Sequence, residues 1–193
     1  MMVHSSDRSS ERSVETFCAG REFYVGRPSW AQGGTYTLHD WNGVAPEPPM
    51  LSGVWMIARK GDEILLVRHR HRGWEVPGGH LDPGESWDQC LARELREEGS
   101  ATVLRARPFA LGRCRINGAK PEGYKYSYPD SYMMFCEVEI DQLLPFGGEM
   151  ETEDRALVSK DEALVILRKK DVWNKDAIVS PSSALILRLE WGT

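Results

Sequence analysis

Trp74-Glu75-Val76-Pro77-Gly78-Gly79-His80-Leu81-Asp82-Pro83-Gly84-Glu85-Ser86-Trp87-Asp88-Gln89-Cys90-Leu91-Ala92-Arg93-Glu94-Leu95-Arg96-Glu97-Glu98-Gly99 is the stretch on which the fold turns. Trp74 to Val76 alternates as a half-buried strand does. Pro77-Gly78-Gly79 is predicted to break it. Ser86 is a good N-cap, and Gln89 three residues on completes a capping box. Asp88 falls in the first turn, where the helix dipole favours negative charge. Gly99 reads as the C′ stop. The stretch is therefore strand, glycine turn, loop and capped helix. At about 100° per residue, Glu94, Glu97 and Glu98 share one arc of roughly 100°, within about one turn along the axis. Trp87, Cys90 and Leu91 fall on the same side, with Leu95 at its edge. The apolar stripe thus runs into three carboxylates, while Arg93 and Arg96 are expected to point elsewhere.

That arrangement is unfavourable by itself. Like charges at these spacings repel by a few tenths of a kcal/mol each, roughly, when exposed, and by more when partly buried. Glu97 and Glu98 also sit where the helix dipole disfavours acids. One reading is a solvated acidic helix end. The other is a cation site, and hard oxygen ligands suit Mg²⁺ or Mn²⁺, which also bind substrate phosphates.

Upstream, Val54–Arg59 and Glu63–His69 flank Lys60-Gly61-Asp62 and read as a β-hairpin. The run Arg68-His69-Arg70-His71-Arg72 follows. It reads either as a solvated basic face or, through Arg68 and Arg70, as a receiver of phosphate by charge-assisted bonds. The histidines at i, i+2 do not resemble a helical metal-ligand pair. Before the hairpin, Arg21–Val25 and Thr35–His39 are short strand candidates, and Ala45-Pro46-Glu47-Pro48-Pro49 reads as a linker. The expected organisation is a flexible tail over residues 1–17, an N-terminal extension with its Pro-rich linker over 18–50, and the main domain over 51–193. The extension reads equally as added sheet, dimer arm or lid.

Downstream, Thr102–Leu104, Phe109–Ile116 and Tyr132–Ile140 are strand candidates. Helices are expected after Ser159, with Glu162 completing a second capping box, and from Ser180-Pro181. Tyr124, Tyr126, Tyr128 and Tyr132, with Pro121 and Pro129, suggest a long ordered loop. Glu149, Glu151 and Glu153 cluster ahead of the second capped helix. Strands interleaved with capped helices make an α/β protein with a mixed sheet between helical layers.

The pattern Gly79-(x5)-Glu85-(x7)-Arg93-Glu94-Leu95-x-Glu97-Glu98 resembles the Nudix box, and Trp74 to Gly79 resembles that family's entry strand and loop. The likeness is sharp over Trp74 to Gly99 and looser from about residue 51 to 168. It departs at Ser100, where the family carries glycine. The resemblance implies a Nudix-type α/β/α sandwich with a loop–helix–loop catalytic motif. It implies Mg²⁺ or Mn²⁺ bound by Glu94, Glu97 and Glu98, with the Gly78 carbonyl, and an Arg93–Glu85 salt bridge that orients loop and helix. Glu94 is either a ligand or the general base. Glu151 and Glu153 are further candidates for ligand or base, or form a solvated acidic loop. Trp74 or Tyr126 is placed to stack on a base, or to pack structurally.

The implied activity is metal-dependent hydrolysis of a pyrophosphate bond in a nucleoside diphosphate linked to another group: a nucleoside triphosphate, an oxidised one included, or a nucleotide sugar or ADP-ribose. The alternatives are a non-catalytic nucleotide-binding module on the same fold and an isomerase of an isoprenoid diphosphate. The isomerase needs a catalytic cysteine, and neither Cys90 nor Cys136 is an obvious one. The chain has 193 residues and a formal net charge of -5, which disfavours a long nucleic acid as partner. Its four cysteines have no C-x-x-C spacing and are too sparse for a disulfide scaffold, as in a reducing compartment. There is no signal-peptide pattern and no apolar run near a membrane span. The expectation is a cytoplasmic protein, with a homodimer left open and no membrane partner.

Overall fold

A computed structural model describes residues 16–27, 34–147, 151–168 and 180–189. In chain order the elements are β1 (Glu22–Gly26), β2 (Thr35–Asp40), β3 (Leu51–Lys60), β4 (Glu63–His69), β5 (Gly73–Glu75), β6 (Gly78–His80), α1 (Trp87–Gly99), β7 (Ala101–Arg115), β8 (Asp130–Leu143), β9 (Thr152–Val158), α2 (Lys160–Arg168) and α3 (Pro181–Arg188). Most of the expected tail and all of Glu149 lie outside the described residues.

The strands build one sheet in the order β1-β2-β7-β8-β3-β4-β5, with β6 on β3 and β9 on β4. β3 and β8 run parallel, and the β3–β4, β4–β9 and β7–β8 pairs are antiparallel, so the sheet is mixed. Alternation along β3 and β4 sends side chains to two cores. Val54, Met56 and Leu65 meet Cys90, Leu91 and Leu95 of α1 on one face. Ile57, Ile64 and Leu66 meet Leu164 and Leu167 of α2 and Leu185 and Ile186 of α3 on the other. The result is the expected α/β/α sandwich. Burying Leu91 and Leu95 holds α1 to the sheet with about 1.5–3 kcal/mol each.

The local signals hold. The Ser86 N–H donates to Gln89 Oε1 at 3.0 Å. The Ser159 N–H donates to Glu162 Oε2 at 3.0 Å. Ser180 Oγ accepts the Ser183 N–H at 3.1 Å. Where pairing is long-range the structure differs. Thr102–Leu104 and Phe109–Ile116 are not two strands but parts of β7, which continues through Pro108 because the register against β8 shifts between Pro108 and Ala110, a bulge position where proline is tolerated. Gly78-Gly79 does not only end a strand. With His80 it forms β6, antiparallel to β3. The stretch after Glu151 is not a loop but β9, laid along β4.

The extension before residue 51 adds strands to the sheet: β2 pairs with β7 from Thr35 opposite Arg115 to Asp40 opposite Ala110. Arg188 of α3 forks onto Asp40, with both N–O distances 2.6 Å. Among the described residues no helix is long and apolar enough to cross a membrane.

The helix terminus also corrects the sequence reading. Gly99 lies inside α1, and Ser100 is the cap, in left-handed geometry at φ 44 and ψ 50. A Cβ on Gly99 would stand 2.8 Å from Leu65 Cδ2. Glycine at 99 thus lets the helix lie close on Leu65 without displacing its side chain, and the serine takes the strained turn that glycine would adopt freely.

Candidate active site

β6 and the end of α1 meet over two glycines. The Gly78 N–H donates to Glu98 Oε2 at 2.9 Å. Gly78 has φ +149, and a Cβ there would come within 2.5 Å of both Trp55 Cα and the Val54 carbonyl. A Cβ on Gly79 would run into the Glu94 carboxylate. Only a chain without side chains at both positions can lie this close to β3 and still seat two carboxylates against its backbone.

Arg93 organises the rest. Its Nε and one terminal nitrogen donate to the two oxygens of Glu85, each at 2.9 Å, a bidentate fork. The same terminal nitrogen reaches the His80 carbonyl at 3.0 Å. The other reaches Glu94 Oε1 at 2.8 Å and Glu97 Oε2 at 3.2 Å. The expected Arg93–Glu85 bridge is therefore present, but Arg93 does not point away from the acids. An ideal helix projection fixes where Cβ leaves the axis, whereas a long arginine stem carries its head back across the face. Arg93 holds the Glu85 carboxyl below the ordinary glutamate range.

Glu94 and Glu98 are buried, 8% and 7% exposed, while the Glu97 side chain is 37% exposed. Burial raises Glu94 above its ordinary value, against the pull of Arg93. Burial also pushes the Glu98 carboxyl up to about 7, with Glu94 adding repulsion and the Gly78 N–H opposing. Of the two desolvated acids, Glu94 shares the Arg93 guanidinium with Glu85 and Glu97, and Glu98 has the Gly78 N–H in its place. Among the described residues no three acid, imidazole or thiol side chains, Glu94, Glu97 and Glu98 included, are gathered so as to hold a metal ion by themselves. Mg²⁺ does not require such a set, since it keeps several waters and takes one or two carboxylates beside substrate phosphates. A buried, incompletely neutralised pair of hard oxygen donors fits such an ion.

The other expected site residues divide. Arg68 is paired with Glu153 at 2.9 Å across the β4–β9 seam. That contact occupies the proposed phosphate binder with the proposed metal ligand. Glu151 Oε2 lies 2.8 Å from His69 Nε2, which lowers the Glu151 carboxyl. Arg70 lines a shallow hollow with His69, His71 and Glu151. Trp74, in β5, is half-buried and packs against the α2–α3 core. Tyr126 stacks on His80 with centroids 4.5 Å apart, and Tyr124 meets its edge at 5.4 Å. The His80 ring itself is held by the Ser52 carbonyl, 3.0 Å from Nδ1, and meets the Trp55 ring edge-on with centroids 5.4 Å apart, while its backbone carbonyl accepts from Arg93.

Sequence reasoning missed His69, His80 and Thr152. Thr152 is 1% exposed, and its Oγ1 donates to the Glu98 carbonyl at 3.1 Å. The missed residues act through contacts across the chain, and His69 alone left a trace, as part of the basic run.

The NUDIX domain family matches residues 49–180, and the chain belongs to that family. Nudix hydrolases in general need a divalent metal. YtkD of Bacillus subtilis strain 168, provisionally named an 8-oxo-dGTP diphosphatase, is 44% identical over 50 residues, 26% of this chain and 32% of that protein. The NAD-capped RNA hydrolase NudC of Vibrio parahaemolyticus is 32% identical over 128 residues, 64% of this chain and 42% of that protein. The chain thus spans less than half the length of these curated relatives. The Bacillus subtilis pyrophosphohydrolase BsRppH superposes with a TM-score of 0.54 at 22% identity, covering 70% of this chain and 77% of that one. The last likeness is one of fold.

Proposed function

We propose that this chain hydrolyses the pyrophosphate bond of a small nucleotide: a nucleoside triphosphate, an oxidised one included, or a nucleoside diphosphate joined to a sugar or second nucleoside. One observation carries the reading. Glu94 and Glu98 are buried against Gly78-Gly79 with less positive charge than they need, where a divalent ion and a diphosphate complete each other's coordination. The relatives named for 8-oxo-dGTP and NAD-capped RNA support it, since both substrates carry a phosphoanhydride attached to a nucleoside. A net charge of -5 favours a small substrate over a long nucleic acid.

Glu98, Glu97 and Glu94 would hold Mg²⁺ or Mn²⁺, with Gly78 at the rim of the site. The bound ion supplies neutralisation of the phosphate oxygens and a lowered pKa for the attacking water. The chain's residues do the rest. Arg93 locks the Glu85 loop to α1, so the acids keep their spacing when substrate arrives. A carboxylate takes the water's proton, with Glu94 and Glu151 as the candidates. Tyr126 on His80 offers a flat face on the β6 side of the site, and Arg70 a cation at the β4 end.

The alternatives find less support. An isoprenoid-diphosphate isomerase needs a reachable cysteine. Cys90 and Cys136 are each 0% exposed, and burial pushes the Cys90 thiol up to about 12. A non-catalytic module does not need the box glutamates, which are all here. The test is a chromatographic screen for release of a nucleoside mono- or diphosphate from nucleoside triphosphates, dinucleotides and nucleotide sugars, with Mg²⁺ and with Mn²⁺. Release in metal that vanishes with chelator is expected. No release from any phosphoanhydride would end the proposal.

A further inference from the structure

The Glu151 side chain is 70% exposed. A glutamate so exposed ordinarily samples several rotamers, and fixing it costs entropy. Here both its ends are held. The carbonyl accepts the Arg70 N–H at 3.1 Å, and Oε2 meets His69 Nε2 at 2.8 Å. The ring that holds it is 5% exposed. Its Nδ1 accepts the N–H groups of His71 at 3.1 Å and Arg72 at 3.3 Å. With Nδ1 engaged as acceptor, the ring proton stands on Nε2 and is donated to the Glu151 carboxylate. Turning the ring or moving its proton would break the bonds that shape the β4–β5 turn.

The held residue immediately precedes the strand that is tied to the end of α1. Thr152, the next residue, is bonded to the Glu98 carbonyl, so the end of α1 and the start of β9 are fastened together one residue from Glu151. Arg72 lies in the field of Glu75, Glu98 and Glu151 together.

We propose that His69 is a positioning residue for the diphosphate reaction. Through its Nε2–H it aims Glu151 beside the box glutamates, so that this carboxylate enters the reaction without first being ordered. This rests on the function proposed above and goes beyond it by naming the residue that makes an exposed acid usable.

A double-mutant cycle tests it, with His69→Ala, His69→Gln, Glu151→Gln and the His69→Ala/Glu151→Gln pair, each assayed for kcat and KM in Mg²⁺ and for thermal unfolding. Glutamine places an amide N–H close to where His69 carries its own. His69→Ala is expected to lower kcat about tenfold to a hundredfold, the scale of a misplaced group, with KM changed less than about threefold. His69→Gln should recover most of that loss. The double variant should be no slower than Glu151→Gln alone, because residues in one network do not add. Losses that multiply would overturn the proposal. So would a His69→Gln enzyme no better than His69→Ala at equal folded fraction, which would make His69 a staple of the turn only. If His69→Ala does not fold, the glutamine variant against Glu151→Gln decides in the same terms. A wild-type chain that cleaves no phosphoanhydride sinks both this and the functional reading. An active wild type with independent losses sinks this alone.

Discussion

Two acidic regions lie on this molecule, and they differ in how their charge is met. At the β6–α1 corner, Glu85, Glu94 and Glu97 share Arg93, while Glu98 has a backbone N–H and is pushed up to about 7. Along the β4–β9 seam each acid has its own partner: Arg68 with Glu153, His69 with Glu151. The first region is buried and short of cations, and the second is exposed and matched. A carboxylate is readied for a metal by desolvation without neutralisation, not by the number of acids nearby.

The largest effect should come from the corner. Glu98→Gln is expected to lower kcat at least about a hundredfold, the scale of removing one preorganised charged group, while the folded state survives. Steady-state kinetics in Mg²⁺ beside a melting curve checks this. Near-wild-type turnover would erase the distinction between the regions.

The next effect is in stability against pH, for metal-free protein. The Glu98 carboxyl is raised by folding, so the native state binds its proton more tightly than the unfolded chain does. Stability from this group is greatest below the ordinary glutamate pKa of 4.5 and is lost as pH rises toward about 7. The loss across that window is of order 3 kcal/mol, and Glu94, raised too, acts in the same direction. Glu85, which folding lowers, acts oppositely, losing its stabilisation as pH falls below its ordinary range. Urea titrations from pH 5 to 8 should show the decline in wild type and a flatter line in Glu98→Gln, and millimolar Mg²⁺ should remove most of it. A wild-type profile without slope would mean the corner is better neutralised than its burial implies.

A smaller effect sharpens the comparison at the same helix end. Ser100→Gly should raise stability by about 1 kcal/mol, since glycine takes left-handed geometry without the Cβ penalty. A denaturant midpoint that falls instead would show Ser100 making a compensating contact. The smallest effect belongs to the Arg68–Glu153 pair of the seam. Arg68→Ala together with Glu153→Ala should change stability by less than about 0.5 kcal/mol and leave kcat and KM in place. A large rise in KM would return Arg68 to the substrate.

Read from the chain alone, the caps at Ser86, Ser159 and Ser180 and the arc of Glu94, Glu97 and Glu98 are legible, because each depends on residues within a turn or two of one another. The β3–β4 hairpin is legible for the same reason. β6 and β9 are not. A three-residue strand of two glycines and a histidine has no periodicity, and β9 is defined by its partner β4, more than eighty residues back in sequence. Pro108 divides β7 on paper, but the bulge against β8 absorbs it. Gly99 reads as a stop because glycine usually is one, whereas Leu65 of the sheet gives it another task.

What the sequence determined by itself is the family, the box helix and which acids share its face, since local geometry and residue chemistry are enough for those. The tertiary structure alone decided which acids are desolvated, that Arg93 crosses back over them, that the strands before residue 51 extend the sheet, and that a buried histidine holds Glu151. Those outcomes depend on groups brought together from distant parts of the chain, and burial and partnership do not exist until the sheet has closed around them.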